Sequence, residues 1–263
     1  MAIYRGPVIV TQNLIAYYDF ANKLSYPGNG STVLDVSGFN NTGILTNSPT
    51  YSSNYQGIVN FNGSTNYAIV PPANLPYGTN PCTISAWART YTSITGFSWV
   101  FSYGNPSTDQ SRKLGIGTSS FCFSGFSDDL TLPGVSTNTW YHLTGVYDGA
   151  NASLYINGSL ATTVTKASWN TVQTTAQIGC GTNLSSSTDY WNGDIAQVLI
   201  YNRALTATEI LKNYRALYTR YYNGSTSTSL ITNGLIIFYN FSTYIGTGNT
   251  IGDSSGNNVT AIL

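Results

Sequence analysis

Residues 140–160 read WYHLTGVYDGANASLYINGSL, and the punctuation of this stretch decides what kind of structure the chain makes. Aromatic and β-branched residues lead to Tyr147, Asp148-Gly149 followed by Ala150-Asn151 supplies the turn chemistry of a β-hairpin, and SLYI resumes the apolar run. Asn157-Gly158 then makes a further turn, because both residues accept positive φ at little cost. The expected local structure is a meander of antiparallel strands.

The same pattern extends in both directions. Segments 8–20, 56–62, 66–70, 82–90, 97–103, 113–118, 120–126, 139–148, 152–157, 175–180 and 193–202 are bounded by Gly, Pro, Asn and Asp and are predicted strands of an all-β chain. In TISAWART, Ile84, Ala86 and Ala88 alternate with Thr83, Ser85, Trp87 and Arg89, which predicts one buried and one wetter face. Trp87 and Trp140 lie within strand patterns and are expected in the core. One helix interrupts the strands over 206–219. Thr206 and Glu209 fit a capping box, and Ile210, Leu211, Tyr214 and Tyr218 recur at helical spacing.

After the helix, YYNGSTSTS at 221–229 has the composition of a linker. Beyond it, GLIIFYNF (234–241) and DSSGNNVTAIL (253–263) repeat NLIAYYDF (13–20) and DVSGFNNTGIL (35–45). The predicted layout is a β-domain over 1–220, a linker over 221–229, and a partial repeat of the opening strands over 230–263. Strands this few cannot bury an apolar face alone. Addition to a sandwich edge, tying subunits together, is favoured over the remnant of a second domain.

Only 8% of the 263 residues are charged and they cancel to zero, which disfavours nucleic acid as a partner. A hydrophobic fraction of 41%, with 21 Tyr, 10 Phe and 5 Trp, belongs to a folded chain. No window approaches the roughly 20 apolar residues of a spanning helix, so membrane insertion is not expected. The opening MAIYRGPVIVTQNL lacks the features of an export signal. Cys82, Cys122 and Cys180 are widely spaced and odd in number, and are expected as buried free thiols.

The order AYYDF, DVSGFNNTGIL, VNFNGSTNYAIVP, TISAWAR, WYHLTGVYDG, SLYINGSL, QIGCG and YWNGDIAQVLIYNRALTATEIL resembles the concanavalin A-like lectin/glucanase superfamily, in its laminin-G-like, pentraxin-like branch. The likeness covers roughly residues 10–217. It implies a jelly-roll β-sandwich of two antiparallel sheets, with the short helix over one end. The stretch DFANKLSYPGNGSTVLDVSGFNNTGILTNSPTY (19–51) is further similar to domains of tailed-bacteriophage virion proteins. That likeness implies assembly in a host cytoplasm, a place on the virion surface, and other virion proteins as partners.

Glucanases of this superfamily use two glutamates around an aspartate, but Glu209 is the only glutamate in the chain and reads as a helix cap. The adjacent Asp128-Asp129 reads as a solvated turn. His142, the only histidine, reads as a half-buried sheet residue. No catalytic residue is therefore assigned. The lectin-like likeness implies a calcium ion, for which Asp19, Asp35 and Asp194 are candidate ligands with Asn40 as a neutral partner. Asp35, ahead of Ser37-Gly38, also reads as an Asx-turn. Sugar binding in such folds combines an aromatic platform with polar side chains, which selects Tyr190 and Trp191 beside Asp189, Trp169 with Asn170, and Trp99 with Tyr103. The combined expectation is a noncatalytic virion surface protein built on a lectin-like domain that binds host glycans, with a dedicated carbohydrate-binding adhesion module as the alternative and a glycan hydrolase disfavoured.

Overall fold

A computed structural model describes residues 8–93, 95–182 and 189–222, together with the backbone of 250–252 and 260–262. The chain divides into two units, Met1–Gly224 and Ser225–Leu263. In the first unit the early strands are β1 (Leu14–Asp19), β2 (Thr32–Val33), β3 (Gly43–Thr46), β4 (Thr50–Ser52), β5 (Ile58–Asn62), β6 (Tyr67–Val70) and β7 (Cys82–Thr90). There follow β8 (Phe97–Gly104), β9 (Ser111–Gly117), β10 (Ser120–Ser124), β11 (Asp129–Pro133) and β12 (Tyr141–Tyr147). The unit closes with β13 (Asn151–Ile156), β14 (Ser159–Thr165), β15 (Ala176–Ile178), β16 (Asn192–Tyr201) and the helix α1 (Ala207–Tyr222). In the second unit β17 (Thr250–Gly252) pairs antiparallel with β18 (Thr260–Ile262). The repeat GLIIFYNF and residues 223–229 of the linker lie outside the described residues.

The first unit is the jelly-roll sandwich that the sequence predicted. One antiparallel sheet runs β14-β13-β12-β7-β16-β5-β4, with β1 also on β16, and the other runs β11-β10-β9-β8-β15-β6-β3-β2. The 148–151 turn forms as expected, because Asp148 Oδ1 accepts the backbone N–H groups of Ala150 at 2.8 Å and Asn151 at 2.7 Å. Between the sheets, Ile84, Ala86, Ala88, Leu143, Val198 and Ile200 meet Phe101, Leu114, Ile116, Phe121 and Phe123. Each large apolar side chain buried there contributes about 1.5–3 kcal/mol. Gly145 on β12 is required by this contact, since a Cβ there would lie 2.4 Å from the Phe123 ring.

Four expectations need correction. The strand predicted over 8–20 begins only at Leu14, because Asn13 takes a positive φ of 60°. The residues before it are held instead by a polar triangle. Val10 N donates to Asn213 Oδ1, Asn213 Nδ2 donates to Tyr201 OH, and Tyr201 OH donates to Val10 O, at 2.8, 3.0 and 2.8 Å.

The two faces of TISAWART are both buried rather than one wet and one dry. The reason lies in α1, which covers the outer face of the first sheet instead of one end of the sandwich. Trp87, facing away from the inter-sheet core, sits 4.4 Å from the Tyr221 ring and 5.5 Å from that of Tyr214. Trp140, Ile58 and Ala196 join the same cluster, so Trp87 and Trp140 are core residues of this outer layer.

The helix also runs to Tyr222, past the predicted linker start. Tyr221 is buried against Trp87 and Trp140, and Tyr222 OH donates to Trp140 O at 2.7 Å. Its start is the expected capping box: Thr206 N donates to Glu209 Oε2 at 2.9 Å, and Glu209 N donates to Thr206 Oγ1 at 3.3 Å. Arg203 grips the same carboxylate with two bonds of 2.8 and 2.7 Å and holds its pKa down to about 2.

All three cysteines are free and buried. Burial pushes the Cys180 thiol up to about 12 and Cys122 well above its ordinary value, so both stay protonated. Among the described residues no helix is long and apolar enough to cross a membrane.

The helix layer makes a measurable prediction. Tyr221→Ala leaves a cavity against two tryptophans and should cost about 3 kcal/mol or more in urea unfolding. A loss below about 0.5 kcal/mol would mean that α1 is only peripheral.

Candidate functional site

The structure does not present the predicted sugar platforms to solvent. Trp169, Trp191 and Tyr103 are within 1% of full burial and Trp99 is 3% exposed, so none offers a ring face to a sugar. Each has a structural reason. Trp169 Nε1 donates to Asp128 Oδ2 at 2.9 Å and its ring meets Phe123 edge-on, while Tyr103 OH donates to Pro76 O at 2.8 Å. Trp99 stacks on Phe97 at 5.3 Å, and Trp191 belongs to the inter-sheet core. Asn170 is exposed, whereas Tyr190 and Asp189 are half-buried, with the Tyr190 ring 6.3 Å from that of Tyr67. Trp99 and Asp189 do converge over Gly181, where a Cβ would come within 2.9 Å of each side chain.

Nor are the calcium candidates brought together. Asp35 Oδ1 accepts Tyr17 N and Ser37 N at 2.9 and 2.8 Å, which is the Asx-turn alternative, and its Oδ2 accepts Asn41 N at 3.0 Å. Asp19 pairs with Arg220 at 3.0 Å, and Asp194 with Arg89 at 2.7 Å and Tyr91 OH at 2.8 Å. Asn40 is an exposed loop residue with φ 59°. Among the described residues no three His, Cys, Asp or Glu side chains gather where they could hold a metal ion.

The groups that could do acid–base work are likewise engaged. Asp128 is not in a solvated turn: it anchors Trp169 and forms an ion pair with Lys166 that holds its carboxyl below the usual range against the opposing effect of desolvation. His142 is fully buried rather than half-buried. Its Nε2 lies 2.9 Å from Ser85 Oγ, which also bonds Thr144 Oγ1 at 2.8 Å, while its Nδ1 is buried with no hydrogen-bond partner. No acid orients the ring, as a Ser-His-Asp device would need. Desolvation pushes its pKa down to about 3, so the imidazole is neutral.

What the fold does open is a groove between loops 26–31 and 45–51. It has a volume of about 450 Å³, within the ~300–1,000 Å³ of small-ligand sites. Half-buried Tyr51 forms its aromatic wall, braced edge-on at 5.7 Å by Tyr26, which is 3% exposed and is in turn backed by Phe20 at 5.8 Å. Gly28, at φ +99°, lets the Tyr51 ring close on the loop, since a Cβ there would stand 2.9 Å from Tyr51 Cε1. Tyr26 OH donates to Gly30 O at 2.9 Å and fixes the loop above it.

The rim is polar and nearly uncharged: Asn29, Ser31, Asn47 and Ser48 line it. Lys23 Nζ donates to Tyr51 OH at 2.9 Å and lies 4.6 Å from the ring centroid, so this cation is already directed at the phenol. An aromatic wall beneath amides and hydroxyls suits a ligand with C–H faces and hydroxyl edges. None of these residues was selected from the sequence as a binder. The only local signal in SYPGNGS and TNSPTY that could have marked them is the tyrosine embedded in each.

With this geometry in place, comparison with known proteins becomes informative. Residues 62–211 match the family described as the concanavalin A-like lectin/glucanases superfamily, in its laminin-G type. No curated protein sequence matches significantly. Among solved structures, the fold is similar to domain 4 of AbnA, an extracellular arabinanase from Geobacillus stearothermophilus, in complex with arabinotriose. The TM-score is 0.59 at 19% identity, over 77% of this chain and 98% of that domain. It is also similar to the binding domain of botulinum neurotoxin DC in complex with rat synaptotagmin II, with TM-score 0.61 at 16% identity over 79% of this chain and 52% of that one. The binding domain of Paraclostridial Mosquitocidal Protein 1 gives 0.60 at 15% identity, over 78% and 52%. The chain thus spans about half the length of the toxin binding domains. At these identities the likeness is one of fold.

Two predictions follow from the buried polar groups. Below the unfolded histidine pKa of about 6.5 the unfolded chain takes up a proton that folded His142, with its pKa near 3, refuses. Its neighbours Ser85, Thr144, Trp87 and Tyr214 are neutral. Stability should therefore fall as pH drops from about 6.5 towards 3, by up to about 1.4 kcal/mol per pH unit, and His142→Gln should flatten that slope in urea titrations. Because Asp19, Asp35 and Asp194 are each already engaged, millimolar Ca²⁺ added to chelator-treated protein should leave the melting temperature unchanged. A rise of several degrees would restore the calcium expectation.

Proposed function

The chain belongs to the concanavalin A-like lectin/glucanases superfamily, and from that membership we propose that it is a noncatalytic recognition module that binds glycans through the groove between loops 26–31 and 45–51. The carrying observation is the half-buried Tyr51 ring, braced by Tyr26, beside an amide and hydroxyl rim in a site of about 450 Å³. Neutral hydrogen-bonding groups match sugar hydroxyls without selecting for charge, and a half-exposed tyrosine face gains by covering an apolar sugar face. Two similar structures lend support by their described ligands: domain 4 of the arabinanase was solved with arabinotriose, and botulinum neurotoxin type C enters cells through two ganglioside molecules.

Hydrolysis has little to work with. Glu209, the only glutamate, is committed to Arg203 and the helix cap, and Asp19, Asp128 and Asp194 are each paired with a cation. Retaining or inverting cleavage needs one carboxyl free to give a proton and another free to attack or activate water.

The setting we propose is the surface of a phage particle, with host-cell glycans as the ligand. Its support is the resemblance of residues 19–51 to virion proteins, and this stretch supplies every residue that lines the groove. A protein that decorates a particle and binds a sugar needs a stable body and a variable loop surface, and the sandwich separates the two.

A glycan array tests the reading directly. The wild-type chain should bind a defined subset of neutral glycans, Tyr51→Ala should weaken that binding by about tenfold or more, and Tyr51→Phe should retain most of it. Saturable binding to assembled capsids with no sugar affinity would instead leave the domain as a decoration protein.

A further inference from the structure

The outer face of the second sheet carries a row of side chains that crosses it strand by strand. Register places Gln177 opposite Ser102, Ser102 opposite Lys113, Lys113 opposite Ser124, and Ser124 opposite Asp129, from β15 through β8, β9 and β10 to the edge strand β11. Directly opposed residues share a face. Leu114, Phe123 and Leu130, one position along from Lys113, Ser124 and Asp129, belong to the inter-sheet core, so the row points away from that core. Every member is polar, and Lys113 is its amine.

Lys113 is the anomaly in the row. It is only 1% exposed, yet none of the ion pairs among the described residues includes it. Its Nζ lies against two aromatic rings, 5.5 Å from the centre of Trp99 and 4.8 Å from that of Phe126. Burial pulls its pKa below the ordinary lysine value, against the opposing charges of Asp189 and Asp129. An ammonium is costly in such a shell, and the neutral amine that replaces it is a nucleophile.

The carboxyl in the same row is that of Asp129. Strand spacing puts the two Cα atoms about 10 Å apart across Ser124, a span that the long flexible lysine stem and an aspartate bridge by leaning together over the small serine. Asp129 Oδ1 is buried with no hydrogen-bond partner. A second carboxyl, Asp189, acts on Lys113 from the side of Trp99 and Gly181. Amine, carboxyl and a further acid–base group are thus gathered beside an aromatic shell.

We propose that Lys113 and Asp129 form an intramolecular isopeptide bond that staples the edge strand β11 to β9 across β10. Lys113 Nζ attacks Asp129 Cγ, and the new C–N bond replaces a C–O bond. Counted from ammonium and carboxylate, the amide nitrogen keeps one proton and the other two leave on the carboxyl oxygen as water. Asp189 relays a proton from the nitrogen to the departing oxygen. The step consumes no oxidant, reductant or further reactant. It removes the buried amine charge and the unpartnered carboxyl oxygen together, and it fastens a strand at the exposed border of the sheet.

Mass spectrometry of the denatured 263-residue chain is the test. The wild-type chain should weigh one water less than its sequence, and protease digestion should release a branched peptide joining residues 113 and 129. Lys113→Met and Asp129→Ala should keep their full sequence mass. Asp129→Asn should form the same amide by losing ammonia, and so match the wild-type mass. Asp189→Asn should slow bond formation in newly made protein by about 100-fold or more. A wild-type chain of full sequence mass would overturn the proposal. So would a missing water that persists in Lys113→Met or that digestion traces elsewhere, as to a cyclised Asp148-Gly149. The wild-type chain decides the matter whether or not the variants fold.

Discussion

A sheet buried on both faces cannot turn its polar side chains to water, so leaving one without a partner inside is costly. The first sheet is held under this constraint by α1, whose Tyr214 and Tyr221 close over Trp87. The strand β7 shows how it is met. Thr83 bonds Arg203 O and Leu205 N, Ser85 bonds both His142 and Thr144, and Arg89 pairs with Asp194. Thr83, Ser85 and Arg89 thus each fasten a strand or the approach to the helix. Desolvation in the same layer keeps His142 neutral.

This use of polar groups limits the chemistry of the domain. Asp19 fastens the end of α1 through Arg220, Asp35 organises the loop after β2, Asp128 anchors Trp169, and Glu209 caps the helix. Carboxylates that hold the structure together cannot also move protons for a substrate. Recognition is left to surfaces that the core does not need. The polar rim of the Tyr51 groove is such a surface, since both loops hang from β2, β3 and β4 near the ends of the two sheets.

The C-terminal repeat fits the same logic. A β1–β3 segment spans two layers and so gains its stability from strands far away in sequence, as the first unit shows through β16 and β6. The copy keeps the β2–β3 hairpin register in β17 and β18.

Much of the fold was legible in the sequence because its determinants are local. Asp148-Gly149 and Asn157-Gly158 specify turns by their own conformational preferences, Thr206 and Glu209 cap a helix within four residues, and period-two alternation marks strands. Three-dimensional contact decided what lies on each face. Alternation in TISAWART predicted a wet side, but a helix more than a hundred residues later covers it, and no local pattern encodes that meeting. Trp99, Trp169 and Trp191 read as sugar platforms because a tryptophan beside polar residues has the same composition whether its ring points out or in. The groove was illegible for the converse reason: nothing local in SYPGNGS or TNSPTY marks a binder, and only the pairing of β3 with β2 and β6 and of β4 with β5 brings Tyr51 against Tyr26 beside the polar rim. The sequence by itself determined which segments are strands, turns and helix, because backbone preference acts over a few residues. The tertiary structure alone decided which side chains are buried and which are presented, because burial depends on partners that the chain brings together from far apart.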